Sequence, residues 1–585
     1  MRKLDASFVA VLCLALFGYV MFGGRALTMH EGRLPETARE MQANHDWLIP
    51  RSGGRPWLER APLPHWIVIA LATVMGQTCD RIWIVRFGSV LMGCATVLLA
   101  AYLATRWFGR GVGLAAGLLL ATAYEFYRYS TLAEEDIYLA FIVTLAMTLF
   151  AQAEFFGNSE RLSPIGWRSW PVVGFFVAVG LSNWIKSPLL GPAMVLPAVG
   201  VFLVSLCSTR LASEPAKRGA LLRWCWLWGW LILIGLALAW PRYVYHRYPS
   251  VLENWRFDYT QTTQYDQPWW YYAWTILWVI APWTPGALVG LWKVSGPAKR
   301  FLWCWAIVPV IVLSLSHRKG HHYLVPVLAP WCILAAVGFV HIGRWLISTP
   351  MWGRRSALGL LAVGLPGAAA IWLLHKKIPA PPFSVAAVLI PIWLIGVGVF
   401  YYGLKIKRPA LMLASCIAGI CLAYCWQQTF LADENGQDTA FLLHVPGKIP
   451  DHEPLFIDAA TSRQGKTGEL DFFRSAFYLP AQARLLHNLT FLRDQTIHEA
   501  RVCVVARAHD FDELSKLGKV RPLDQSLHTR RETSAGDRLA LFELQFKPDL
   551  QRYPAPSADE ITVMQAMGRA KGPYCGPPDN SKSAQ

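Results

Sequence analysis

Long apolar runs separated by short polar turns fill the first 430 residues. About 20 apolar residues suffice for a helix to cross a bilayer. Thirteen runs fit that expectation, near 8–24, 82–105, 111–127, 136–156, 170–186, 188–208, 221–244, 269–292, 301–316, 322–343, 356–374, 384–404 and 409–429. A further apolar stretch, Pro64 to Gly76, is short and opens among prolines, so it predicts a helix lying at the membrane interface. The first run follows Arg2 and Lys3, as in a signal peptide. No clean small-x-small cleavage site follows it and many more runs do, so it is expected to remain as the first span.

After residue 430 the pattern changes. Leu455–Ala459, Arg501–Ala506 and Arg538–Phe546 alternate or run apolar like strands, and Phe472–Tyr478 and Phe511–Lys516 have helical spacing. The expectation is a small α/β domain over 431–550, followed by a polar, proline-containing tail, 551–585, that is poorly ordered. There is no internal repeat and no glycine-rich phosphate loop.

Composition agrees with the runs. Of 585 residues, 54% are hydrophobic and 16% charged, with a mean hydropathy of +0.31. These values exclude a single soluble domain, a disordered chain, a coiled coil and a disulfide scaffold. The net charge of +17 does not imply nucleic acid, because Lys and Arg collect in the cytoplasmic loops of membrane proteins. With the N-terminus inside, the cytoplasmic segments hold about twice as many basic residues as the short outer loops. Were Pro64–Gly76 to span, every later loop would change sides and that bias would invert. Thirteen spans therefore put the loop 23–81 and everything beyond 430 outside. The 28 tryptophans suit interfacial aromatic belts. Most of the 12 cysteines sit in apolar runs (Cys94, Cys225, Cys304, Cys332, Cys416, Cys421), where they act as small hydrophobes. Only Cys503 and Cys575 lie in polar sequence, and no CxxC metal spacing occurs.

On this topology many ionisable groups share the outer side: His30, Glu31, Arg33, Glu36, Arg39 and Glu40, then Glu59 and Arg60, then Glu134, Glu135 and Asp136, then Lys186, then Arg318 and Lys319. Each has an ordinary explanation. The first group suits a solvated loop before a helix, and Glu59–Arg60 a weak surface ion pair. The acids at 134–136 suit the N-terminus of a helix. Lys186 can snorkel to the interface, and Arg318 and Lys319 can anchor there. Taken together, acids and bases near a bilayer are costly unless they face a cavity or one another. The chemistry they allow is transfer from a phosphorylated donor. A carboxylate or neutral imidazole takes a proton from the acceptor, and Arg and Lys hold a phosphate leaving group.

The run HEGRLPETAREMQANHDWLIPRSGGRPWLERAPLPHW, His30 to Trp66, resembles the first periplasmic loop of the aminoarabinose lipid A transferases and related protein mannosyltransferases. These are GT-C membrane glycosyltransferases that use polyprenyl-phosphate sugars. Glu31, Arg33, Glu36, Arg39, Glu40, Met41, Asp46, Trp47, Glu59, Pro62, Leu63 and Trp66 match the family pattern. LAEEDIYLAF, NWIKSPLLGP, QPWWYYAWTILWVIAPW and SHRKGHHYLVPVLAPW resemble later family stretches in the same order, over about 1–345. The resemblance implies an all-α polytopic GT-C bundle with a small C-terminal extracytoplasmic α/β domain. It implies Asp136, Glu31 and His30 as catalytic groups, and Arg33, Glu59, Arg60, Lys186 and Lys319 as donor-binding groups. Glu59 and His30 are its candidate ligands for a divalent metal ion. Three departures stand out. His30 replaces the family Asp, Arg60 replaces a Lys with different geometry, and Phe257–Tyr265 lacks a His that relatives carry.

The sequence thus predicts an inverting glycosyltransferase of the bacterial inner membrane. It would move a sugar from a polyprenyl-phosphate donor to lipid A, a protein or another glycan on the periplasmic face. Two rivals stand beside it. A transporter or flippase of lipid-linked sugars would show inverted repeats and broken helices, and neither is evident along the chain. A binding protein that kept the fold and lost catalysis finds its support in His30.

Overall fold

A computed structural model of the chain describes residues 2–22, 25–28, 31–52, 55–58, 60–156, 170–186, 188–207, 224–249, 251–252, 255–256, 267–316, 319–373, 382–430, 436–450, 453–458, 474–480, 483–486, 501–527 and 538–547. His30, Glu59, Arg318, the stretch 257–265 and the tail 551–585 lie outside the described residues. By contacts the chain divides into two compact units, Met1–Gly23 with Ser89–Ala432, and Gly24–Gly88 with Asp433–Gln585. The apolar pattern alone groups 1–430 together, whereas contacts assign Gly24–Gly88 to the second unit.

In chain order the helices begin with α1 (Lys3–Phe22), α2 (Arg33–Asn44), α3 (Leu63–Val74), α4 (Ile82–Phe108), α5 (Arg110–Thr122) and α6 (Tyr124–Thr131). Next come α7 (Asp136–Ala151, extended by a π turn to Phe156), α8 (Trp170–Ser182), α9 (Leu190–Cys207), α10 (Leu227–Arg247), α11 (Tyr271–Val279) and α12 (Thr284–Lys293). Then come α13 (Ala298–Ser314), a 3-10 turn His321–Val327, α14 (Leu328–Ser348), α15 (Pro350–Leu373), α16 (Pro382–Lys405) and α17 (Pro409–Phe430). The tail adds α18 (Gly436–His444) and α19 (Phe511–Leu517). Its strands are β3 (Leu455–Asp458), β4 (Arg484–Leu486), β5 (Arg501–Arg507), β6 (Gly518–Gln525) and β7 (Leu539–Phe546), after a hairpin of β1 (Arg51–Ser52) and β2 (Arg55–Pro56).

Among the described residues five helical segments are long and apolar enough to cross a membrane: α1, α4, Asp136–Phe156, α10 and His321–Ser348. The apolar run 269–292 is a correction to the sequence pattern. It is not one continuous helix but the pair α11 and α12, bent by 111°. Pro282 sits in the break, where its missing N–H cannot continue a helix, and Pro285 falls in the first turn of α12, where no N–H is needed. Counting that pair as one gives six spans. The run 111–127 also divides. α5 stops at Thr122, Ala123 is extended, and α6 begins at Tyr124. The Tyr124 N–H then donates to the Ala281 carbonyl in the break between α11 and α12, at 3.0 Å. The pattern called for no broken helix; this break instead supplies the acceptor that α6 needs at its start.

Within the first unit α12 and α14 approach closely. A Cβ on Gly338 would overlap the Gly286 carbonyl oxygen, and one on Gly290 would overlap the Leu334 carbonyl oxygen. Small residues permit such helix approach in a bilayer, where packing rather than water drives association. On another side, Phe150 of α7 meets Phe175 of α8, Phe202 of α9, Trp224 and Phe301 of α13, with ring centroids 4.5 to 5.9 Å away. Asp5 of α1 accepts from the Arg110 guanidinium of α5 at 2.6 Å.

In the second unit a five-stranded sheet has the order β4-β3-β5-β7-β6. β3 runs parallel to β4 and β5, and β7 is antiparallel to β5 and β6. The continuous apolar run of β5 is buried on both faces, as a central strand requires. Pro522 falls in edge strand β6, next to a register shift, where a lost N–H is tolerated. The core gathers Phe456, Val502, Val504, Leu514, Phe542 and Leu544. Arg39 of α2 donates to the carbonyls of Ala476 (2.9 Å) and Leu479 (2.5 Å), and the Leu27 N–H donates to the Tyr478 hydroxyl at 2.8 Å. These bonds between residues some 440 positions apart join the 24–88 segment to the tail within this unit.

Candidate active site

Asp136 opens α7, where a carboxylate suits the helix N-terminus. Lys186 follows α8 after a turn held against α10. The Asn183 amide donates to the Ala237 carbonyl at 2.7 Å, and the Trp184 indole donates to the Leu236 carbonyl at 2.6 Å. The turn presents the Lys186 ammonium to Asp136 Oδ1 at 2.6 Å, with side-chain exposures of 2% and 3%. Lys186 Nζ also stands 4.9 Å over the Tyr323 ring, a cation–π distance. Lys186 therefore does not snorkel, because its head is buried against an acid. A lone charge at that depth would be prohibitive, whereas a paired and hydrogen-bonded one is tolerated.

A second acid lies in the same unit. Glu125 of α6 is fully buried, and its Oε1 is 2.5 Å from His321 Nδ1 and 3.7 Å from the Arg128 guanidinium. Glu125 Oε2 is buried and makes no hydrogen bond among the described residues. Lys319, two residues before His321, donates to the carbonyls of Ser316 (2.7 Å) and Gln267 (3.2 Å). It meets no carboxylate within ion-pair distance among the described residues, which leaves its charge available to an anion.

The remaining expected residues belong to the second unit. Glu31 is fully buried and gripped by Arg86, Nε to Oε1 at 2.8 Å and Nη2 to Oε2 at 3.0 Å, and the Thr28 N–H adds a bond at 2.8 Å. Arg86 further donates to the carbonyls of Arg25 (3.0 Å) and Ala26 (3.1 Å). Glu31, a catalytic group by the resemblance, is thus held in a bidentate, solvent-free pair that ties the loop to the first turns of α4. Arg33 is half-buried, and its guanidinium makes no hydrogen bond or ion pair among the described residues. Arg60 is buried. Glu36 is buried beside Arg39 at 2.8 Å, and burial pushes its carboxyl above the ordinary range despite the opposing pull of Arg39.

The structure thus brings together Asp136 and Lys186, places Lys319 at the 3-10 turn that carries Tyr323, and sets Glu31, Arg33 and Arg60 in the other unit. His30 and Glu59, the metal candidates, lie outside the described residues. Among the described residues no three His, Cys, Asp or Glu side chains cluster to hold a metal ion. Sequence inspection passed over Glu125, Arg86 and His321. The legible signal for Glu125 was a carboxylate inside an otherwise apolar and aromatic run.

A family model described as dolichyl-phosphate-mannose-protein mannosyltransferase matches residues 59–245, a segment that contains Asp136 and Lys186. The undecaprenyl phosphate-alpha-4-amino-4-deoxy-L-arabinose arabinosyl transferase of Edwardsiella ictaluri is 28% identical over 386 residues, 64% of this chain and 66% of that protein. A Proteus mirabilis transferase of the same description is 28% identical over 345 residues, 57% of this chain and 59% of its own. The chain therefore spans about two-thirds or less of these relatives. Among solved structures, ArnT from Cupriavidus metallidurans in the apo state superposes with a TM-score of 0.69 at 18% identity, covering 92% of this chain and 97% of ArnT. The same protein bound to undecaprenyl phosphate gives 0.68 at 17% identity, covering 93% and 98%. The fold is that of ArnT, and the chain resembles the GT-C membrane glycosyltransferases.

Proposed function

We propose that this chain moves a sugar from a polyprenyl-phosphate donor to an acceptor at the extracytoplasmic face of the bacterial inner membrane, with inversion at the sugar carbon. The observation that carries the reading is the buried Asp136–Lys186 pair, which lies within the segment matched by the mannosyltransferase family model. The names of the relatives support a lipid-phosphate donor, and the ArnT structure with undecaprenyl phosphate supports the same class. On this reading thirteen spans put the N-terminus inside. The domain 1–430 carries the loop 23–81 outside, and 431–550 forms an extracytoplasmic α/β domain. Lys186 and Lys319 offer positive charge to the donor phosphate, whose leaving oxygen gains charge as the sugar departs. Asp136, a catalytic group by the resemblance, holds the Lys186 ammonium in the site until the phosphate takes it.

The test is Asp136→Asn assayed in membrane vesicles with a radiolabelled polyprenyl-phosphate sugar. Transfer is expected to vanish while the protein accumulates normally. Unchanged transfer would defeat the assignment. The bent pair α11–α12 favours a flippase, since transporters use broken helices. Lipid-linked sugar that changes leaflet without being consumed would establish that second reading.

A further inference from the structure

Asp136 is poorly placed to receive a proton at the outset, because the Lys186 ammonium already occupies its oxygen at 2.6 Å. Glu125 and His321 form a different arrangement. A fully buried carboxylate faces imidazole Nδ1 at 2.5 Å, and a third of the His321 side chain is exposed. Glu125 Oε2 has no donor among the described residues and Arg128 stands back at 3.7 Å, so the carboxylate rests on the imidazole for its hydrogen bond. A buried carboxylate takes the hydrogen of Nδ1, which fixes the tautomer and leaves the Nε2 lone pair on the other edge of the ring. The ring is confined by Trp278 of α11 at 5.5 Å and by His322 at 5.7 Å. α6, which carries Glu125, is itself anchored by the Tyr124 N–H on the Ala281 carbonyl. The titratable groups that interact with Glu125 include Arg128, Tyr129 and Tyr424, and His322, Tyr323 and Lys319 lie on the segment of His321.

We propose that His321 is the proton acceptor of the transfer, that Glu125 is its positioning residue, and that the acceptor is therefore a hydroxyl and not an already ionised phosphate. This rests on the glycosyl-transfer reading and names the group and the acceptor class. The hydroxyl oxygen bonds to the anomeric carbon, and the bond from that carbon to the phosphate oxygen breaks. The electron pair leaves with the polyprenyl phosphate, and the hydroxyl proton passes to His321 Nε2 and then to water.

The experiment uses the full chain in membrane vesicles with radiolabelled polyprenyl-phosphate sugar, and binding of undecaprenyl phosphate reports the folded state. His321→Ala should lower kcat about 10²-fold with KM for the donor within about twofold, and added imidazole should restore part of the rate. Glu125→Gln should lower kcat at unchanged donor KM, and Glu125→Asp should recover more of it than Gln does. The transferred label should survive mild acid, as a glycoside does. A His321→Ala protein that binds undecaprenyl phosphate and transfers at the wild-type rate overturns the inference. So does label released by mild acid, or a loss in His321→Ala and His321→Gln that imidazole does not relieve. Wild-type protein that transfers no sugar overturns the glycosyl-transfer reading itself, and this inference with it.

Discussion

Lys186 Nζ and Asp136 Oδ1 stand 2.6 Å apart, from positions 50 residues distant in the chain, with both side chains all but sealed from solvent. Neither charge would be tolerable there without the other. The pair is both a structural requirement of α7 and α8 and a buried concentration of charge in the helical unit. Removing one member leaves an uncompensated buried charge, at a cost of about 3–5 kcal/mol. Lys186→Met should therefore lower the thermal unfolding midpoint in lipid nanodiscs, and Lys186→Met combined with Asp136→Asn should regain most of it. A single Lys186→Met as stable as wild type would mean that the ammonium and carboxylate do not depend on each other.

Glu31 and Arg86 make a second sealed pair, bidentate and reinforced by backbone carbonyls and the Thr28 N–H. Glu31→Gln should act through stability. The unfolding midpoint falls, while the fraction that remains folded keeps its transfer rate within a few-fold. A stable Glu31→Gln protein with no transfer would instead mark Glu31 as a proton acceptor. Arg86→Lys should also destabilise, because an ammonium cannot reproduce two parallel bonds and two carbonyl contacts.

Burial raises the Glu36 carboxyl, and Arg39 works against that rise. A carboxyl raised in the fold contributes stability below its ordinary value near 4.5, and that contribution is lost as pH climbs through the raised value. Arg39→Met removes the opposing cation, so the loss of stability with rising pH should steepen. Glu36→Gln should flatten it. Unfolding midpoints measured between pH 4 and pH 8 decide the matter. Arg39→Met should also speed proteolytic cleavage near residues 476–479, whose carbonyls it holds.

Gly338 leaves no room for a side chain beside Gly286. Gly338→Val should separate α12 from α14 and lower the yield of folded protein several-fold, whereas valine at Gly359, which has open space around its Cβ position, should leave the yield nearly unchanged. Fluorescence-detected size exclusion of tagged protein checks both.

The helical character of the apolar runs, among them α1, α4, α7 and α10, was legible because hydrophobic length is local information. So were the strands around Leu455–Asp458 and Arg501–Arg507 and the acid at the start of α7. The resemblance of His30–Trp66 to the GT-C glycosyltransferases was legible in the same way. The bend between α11 and α12 was less so. A proline pair inside an apolar run can kink, break or tolerate a helix, and packing chooses.

What only the tertiary structure decided is partnership. Asp136, Lys186 and Glu31 were all visible as unusual charges, yet the sequence could not say that Lys186 neutralises Asp136 while Arg86 takes Glu31. Nor could it say that a Glu125 inside an aromatic run meets His321, 196 positions later. Ion pairs of this kind join residues far apart in the chain through a geometry set by helix packing, and no local periodicity encodes that geometry. The residue types state which charges must be compensated; the fold alone selects what compensates them.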